Sequence, residues 1–468
     1  MPSLRQTCLL LILAAASGLH AQTDATPPVD EAYAKRNAEN LAASAKVKKE
    51  GGGIVPGLTN DYNHIVFYGQ SLSVGADSKQ LLSTTPKEGN YMISKAVAFT
   101  GEKDAKFEPL VSGPKADSEP PVVGTVNHLR KLYSDAFPAD SAKHGLVGSS
   151  LGVSGRSVEQ LSKGGKAKHY DRVVNAINAS KAAADLEKKS YGIAAICWMQ
   201  GESNYSPGGD WTPTKEGYKE KLLKLRADLN EEVAKGIAGQ KEAPAFVMYQ
   251  TGAAYSNDTN FLSIGMAQWE IAQEVPGVYM ATPIYPYVDY GGHLTANGYR
   301  WVGAQFGKVL DKILVKGEDW KPLSPRSVKR DGRKITIDYH VPEPPLVFAA
   351  PYIGRKLSEI PPDKGFLLYD SSGIVDIESI RIVNDTIVEI IAKRDFDGDA
   401  YVRYAGKTKY DGNGFLRDSD STVAEDVYVF DPTTAQLPDE NLPELVGKPY
   451  PLYNWSIAFN LKAEPEAK

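Results

Sequence analysis

The chain has 468 residues, 42% hydrophobic and 24% charged, with 53 Lys and Arg against 58 Asp and Glu for a formal net charge of −5. At roughly 100–200 residues per domain it holds two or three domains with sizeable cores, which excludes a wholly disordered chain. The balanced charge excludes a dedicated nucleic-acid binder, and two cysteines, Cys8 and Cys197, exclude a disulfide framework or a cysteine-ligated zinc site.

Arg5 is the only charge before an apolar run over 8–16, and small residues then lead to Ala21. This is the pattern of a signal peptide over 1–21, cut after Ala21. The run is too short to span a bilayer, which takes about 20 residues. The expectation is export to the periplasm or medium, with no stable membrane insertion after cleavage. Cys197 is then the sole thiol, placed in an apolar run as a buried, inert side chain. Residues 22–58 are polar, rich in Ala, Lys and Glu, and end in Gly51, Gly52 and Gly53. They read as a linker with some helix.

From 59 to 316 short apolar runs alternate with longer amphipathic segments. The runs 64–68, 145–153, 191–199, 245–250 and 278–282 are nearly continuous in hydrophobicity, as strands buried on both faces are. Between and after them, 125–137, 169–188, 214–235, 261–274 and 295–314 carry apolar residues at helical spacing. Strand–helix alternation predicts an α/β domain with a parallel sheet covered on both sides. Past Trp320, prolines and short β-rich runs at 334–339, 366–369, 379–383, 387–392, 401–404 and 426–430 predict an all-β, sandwich-like accessory domain over 317–468.

Four motifs carry chemistry. In His64-Ile-Val-Phe-Tyr-Gly-Gln-Ser71 a buried strand delivers Ser71 to the C-terminal edge of the sheet, where open α/β folds bind ligands. Its own N–H, beside a helix start, is suited to an oxyanion. The second motif, Gly152-Val-Ser-Gly-Arg-Ser157, offers the backbone N–H of Gly155, with Gly152 in reserve. In the third, Trp198-Met-Gln-Gly-Glu-Ser-Asn204, strongly polar Gln200, Glu202 and Asn204 leave a buried strand abruptly, and an amide there can donate to developing negative charge. The fourth, Asp289-Tyr-Gly-Gly-His293, sets a carboxylate four residues before a histidine that precedes a helix, near enough to orient the ring.

In this order the motifs resemble the SGNH (GDSL-like) hydrolase superfamily, in its carbohydrate and sialate O-acetylesterase branch, with Gly-Gln-Ser in place of Gly-Asp-Ser. The resemblance covers about 62–310. It implies a flavodoxin-like three-layer α/β/α fold, Ser71 as nucleophile, His293 as base, and an oxyanion hole of Ser71, Gly155 and Gln200. The branch places its aspartate three residues before the histidine, where Tyr290 stands here. Asp289 is the candidate acid, and Glu202 is the alternative orienting group. The activity implied is that of an exported serine esterase that removes O-acetyl groups from a carbohydrate or polysaccharide through an acyl-enzyme on Ser71, with no metal or organic cofactor. Two other readings stand beside it: a lipid ester or thioester hydrolase with the same site, and a non-catalytic carbohydrate-binding protein.

Gly148-Ser-Ser-Leu-Gly152 also fits a Gly-x-Ser-x-Gly elbow and makes Ser150 a rival nucleophile. Asp395–Asp399 and Asp418–Asp420 lack the glycine position of a calcium loop and read as acidic turns. Tyr205, Trp211, Tyr285, Tyr287 and Tyr290 lie near the candidate loops in sequence, as sugar-stacking rings or as core.

Overall fold

In a computed structural model the described residues are 31–49, 54–98, 101, 105–113, 118–206, 209, 211–252, 261–352, 360–406, 412–435 and 437–466. The expected signal peptide over 1–21, with Cys8, lies outside them. Seven strands form the first sheet: β1 (Tyr62–Gly69), β2 (Asn90–Ile93), β3 (Phe107–Pro109), β4 (Gly145–Ser150), β5 (Tyr191–Met199), β6 (Ala245–Gln250) and β7 (Val278–Pro283). Their order is β3-β2-β4-β1-β5-β6-β7, and every pairing is parallel except β2 with β3. β1, β5, β6 and β7 are buried at every residue, which is why they read as continuous apolar runs rather than alternating ones.

Side chains alternate between two cores. Ile65 and Phe67 of β1 face helices Pro121–Ala136 and Ala296–Leu310, while Val66 and Tyr68 face helices Asp171–Leu186, Lys215–Asp228 and Ser263–Glu274. This is the expected three-layer α/β/α arrangement, with the carboxyl ends of β1, β4 and β5 side by side. Strands β2 and β3, at the edge, escaped the sequence pattern because they are only four and three residues long.

The expected all-β C-terminal region is present. Its eight-stranded order has two halves. One comprises Gly373–Val375, Phe366–Asp370, Ala400–Tyr404 and Phe459–Pro465; the other comprises Ser324–Asp331, Lys334–His340, Ile387–Ala392 and Ile377–Val383. Among the described residues the halves are joined in the sheet by the short parallel pairing of Lys329 with Glu464 and Arg330 with Pro465. Ile335, Ile337 and Tyr339 from one and Leu368, Val402 and Tyr404 from the other fill a common core.

Residues 31–49, read from composition as linker, form helix Glu31–Lys49 docked on this region. The docking face is polar. Tyr33 OH donates to Glu389, Arg36 pairs with Asp338 at 2.6 Å, and Asn40 donates to the same carboxylate at 3.1 Å. Apolar periodicity has nothing to register on such a face.

Helix Ala296–Leu310 is buried at every residue, between helix Pro121–Ala136 and the C-terminal region. Lys308 ends at Asp420 (2.8 Å) and Asn454 (2.8 Å), and it also donates to the Leu452 carbonyl. Burial lowers the Lys308 pKa, yet Lys308 in turn holds Asp420 down at about 2. Removing one partner of a buried pair strands the other charge, at a cost of about 3–5 kcal/mol. Lys308→Ala is therefore expected to lower unfolding free energy by about that amount, measured by urea denaturation of the full chain. An Asp pKa held below its unfolded value contributes stability present above that value and lost as pH falls toward 2.

Candidate active site

β1 ends at Gly69, whose φ is 150° and whose missing Cβ would stand 2.0 Å from the Met199 carbonyl oxygen at the end of β5. Only glycine brings these two strand ends so close. Gln70 N–H then donates to Met199 O (2.8 Å), and Gln70 Oε1 accepts from the N–H groups of Gly201 (3.2 Å) and Ser203 (3.0 Å). The chain turns sharply into the short 3₁₀ segment Ser71–Val74. The first and third motifs are thereby stitched together, and Ser71 stands at the carboxyl edge of the sheet.

His293 reaches this point from the two-residue hairpin formed by Asp289–Tyr290 and His293–Leu294. Its Nε2 lies 2.7 Å from Ser71 Oγ, and its Nδ1 lies 2.6 Å from Asp77 Oδ2. Both ring nitrogens are thus occupied. The expectation that Asp289 orients the ring is corrected: the carboxylate on Nδ1 is Asp77, while Asp289 serves the hairpin pairing with Leu294. Asp77 sits at φ 65°, a left-handed position that aspartate tolerates, in the turn just after Gly75. Ser78 donates to Gly75 O (2.7 Å) and Ser118 to Val74 O (3.0 Å), which brace that turn. Sequence spacing gave no signal for Asp77; the one clue is that it is the first carboxylate after Ser71.

Glu202, the alternative orienting group, is elsewhere. It accepts from Tyr249 OH and from Gly252 N–H (3.2 Å), and burial raises its pKa. Gln200 is also corrected. Its Nε2 donates to Asn204 Oδ1 (2.7 Å) and Arg156 O (3.3 Å), and its Oε1 accepts from Tyr218 OH (2.9 Å). Both amide hydrogens are placed on protein acceptors, so this fully buried side chain ties down the second motif rather than facing a substrate oxygen. Asn204 continues the same network to Val158 N–H (3.0 Å), Glu159 (3.2 Å) and Thr212 O (3.1 Å).

Among the described residues, the backbone N–H groups of Ser71, Gly152 and Gly155 donate to no backbone carbonyl. Gly155 is exposed, at φ 69°, with nothing near the place of a Cβ. Gly152 packs on the Ser71 turn, where a Cβ would stand 1.9 Å from Ser73 Oγ and 2.7 Å from Gly69 O. Ser150 is buried and donates its hydroxyl to Ser73 O (3.0 Å), supporting the turn. Tyr205, Tyr285 and Tyr287 are core, whereas Trp211 is half-exposed. Asp418 and Asp420 belong to the buried network around Lys308 and Asn454.

Residues 105–312 match the model of a family described as "Carbohydrate esterase, sialic acid-specific acetylesterase". The match covers the second, third and fourth motifs and begins after Ser71. A search of curated protein sequences returns no match. Among solved structures, a carbohydrate acetylesterase from Xanthomonas citri is similar over 85% of this chain and 80% of its own, with a TM-score of 0.50 and 12% identity. At that identity the likeness is one of fold. An Arabidopsis thaliana protein is similar over 54% of this chain and 99% of its own (TM-score 0.39, 14% identity). A two-domain esterase active on acetylated mannans is similar over 77% and 92% (TM-score 0.29, 11% identity). The three-layer fold described above and the match over 105–312 thus make this part of the chain similar to the sialic acid-specific acetylesterase family of carbohydrate esterases.

Proposed function

We propose that the protein removes O-acetyl groups from a carbohydrate through an acyl-enzyme on Ser71. The observation that carries this reading is the chain Ser71 Oγ–His293–Asp77, with contacts of 2.7 and 2.6 Å at the carboxyl edge of the parallel sheet. A serine hydroxyl is a weak nucleophile until a base within hydrogen-bond reach takes its proton, and a third group fixes the base. Ser71 Oγ attacks the acetyl carbonyl while His293 Nε2 accepts its proton. Asp77 holds the Nδ1 hydrogen and balances the imidazolium charge. The tetrahedral oxygen is met by the Ser71 and Gly155 N–H groups, with Gly152 as a further donor on the same turn. His293 returns the proton to the departing sugar oxygen. Water, deprotonated by the same ring, then releases acetate and restores Ser71.

Ser71→Ala is expected to cut kcat on an aryl acetate by about 10⁴-fold or more while leaving the melting temperature nearly unchanged, since the change removes one oxygen. A fluorophosphonate adduct mapped by peptide mass spectrometry is expected on Ser71; an adduct on Ser150 would overturn the assignment. Release of acetate from acetylated glycans checks the substrate class, and faster turnover of long-chain esters would move it to lipids. Asp77→Asn is expected to lower kcat by about 10²–10⁴-fold, because the amide favours the wrong imidazole tautomer, whereas Asp289→Asn should cost less than about tenfold. Equal losses in the two variants would return the orienting role to Asp289.

Export is part of the same proposal and rests on the N-terminal pattern ending at Ala21. No helix among the described residues is long and apolar enough to cross a membrane. N-terminal sequencing of protein recovered outside the cytoplasm is expected to begin at Gln22; a chain retaining Met1 there would count against cleavage.

A further inference from the structure

The helix that follows His293 is fastened at its first turn to the C-terminal region. Asn297, fully buried, donates through Nδ2 to Val429 O (2.7 Å) and accepts through Oδ1 from Val429 N–H (3.0 Å) and Tyr450 OH (2.8 Å). An amide side chain paired in both directions with one peptide unit fixes position and orientation together. Arg300 Nη2 donates to Val427 O (3.0 Å) and Trp301 Nε1 to Pro451 O (2.8 Å), on the same side of the helix. The loop that carries Asp77 meets the same segment, where Gln80 Nε2 donates to Thr434 Oγ1 at 3.0 Å and Lys87 pairs with Glu425 at 2.8 Å. Residues 425–434 therefore hold both the histidine and the aspartate sides of the site, although they lie outside the region that matches the esterase family.

We propose that Asn297 is a positioning residue of the esterase. By fastening the first helical turn to Val429, it makes the segment 425–451 of the C-terminal region part of the framework that sets His293 between Ser71 and Asp77. The inference rests on the catalytic reading of Ser71 and His293. Its physical basis is that displacing a reacting group by about 1 Å costs about 10²-fold in rate even when the altered residue is remote from the chemistry.

The test uses the full chain. Asn297→Ala is expected to lower kcat on an aryl acetate by about 10–100-fold with KM changed less than about twofold. It should also weaken or abolish the low-field proton resonance of the His293–Asp77 hydrogen bond. Tyr33→Phe, which loosens the remote helix Glu31–Lys49, serves as a control that lowers stability and leaves kcat and that resonance unchanged. Folded Asn297→Ala with wild-type kcat and resonance would overturn the proposal. Should Asn297→Ala fail to fold, Tyr450→Phe decides: a kcat loss of about threefold or more at constant KM supports it, and unchanged kcat overturns it. Ser71→Ala is assayed in parallel. Full activity there would remove the catalytic reading itself, whereas an inactive Ser71→Ala beside a fully active Asn297→Ala would sink the positioning role alone.

Discussion

The constraint on which the molecule turns is the complete burial of helix Ala296–Leu310. Its apolar side packs on the parallel sheet and on helix Pro121–Ala136, as any covering helix of an α/β fold would. Its opposite side carries Asn297, Arg300, Gln305 and Lys308 at spacings of three to five residues. In an isolated α/β domain such a stripe faces water. Here it faces 418–454, and Asn297, Arg300, Gln305 and Lys308 find partners there in Val429, Val427, Asn454 and Asp420. Buried polar groups have to be paired, so the helix and the C-terminal region specify each other's position. A boundary drawn at 316 from composition divides the chain just after a helix that both regions share.

The two sides of the site answer to different forces. Ser71 is placed by the sheet: β1 is buried throughout, Gly69 lets it close on β5, and Gln70 locks the turn. That side needs nothing from outside the α/β domain. His293 comes from a two-residue hairpin and Asp77 from a turn, neither of them part of the main sheet, and both segments lead to contacts with 425–434. A catalytic relay needs its members held within a fraction of an ångström, and sites on rigid elements hold such geometry better than sites on loops. Fastening the loops to a second packed region supplies the missing rigidity.

The strands were legible because burial on both faces leaves an unbroken apolar signature; 191–199 and 245–250 were bounded to the residue. Ser71 and His293, whose side chains lie 2.7 Å apart, stood out because a polar side chain at a strand-to-helix junction is an unusual use of sequence. Apart from the short edge strands β2 and β3, what escaped reading shares one cause: it depends on polar contacts between distant segments. Helix Glu31–Lys49 docks through Tyr33, Arg36 and Asn40 without an apolar stripe. Gln200 has the composition of an oxyanion donor but spends both hydrogens on Arg156 and Asn204, a fact visible only once 156, 204 and 218 are seen together. Asp77 lies 216 positions before its histidine by the numbering of the chain, so no local spacing could pair them.

The choice among three carboxylates follows the same physics. A group that balances an imidazolium has to be an anion when the proton arrives. Glu202 is poorly suited, because burial raises its pKa and its oxygens are already committed to Tyr249 and Gly252. Asp289 is held in the short hairpin that presents His293, where its backbone pairs with Leu294. Asp77 is more than half exposed, and one of its oxygens reaches Nδ1. Its segment is held by the left-handed turn at Asp77, the Ser78 and Ser118 hydrogen bonds that brace it, and the Gln80–Thr434 contact beyond. The carboxylate on Nδ1 thus stays open to solvent while its segment is tied through Gln80 to the C-terminal region, which is the arrangement a loop-borne carboxylate requires.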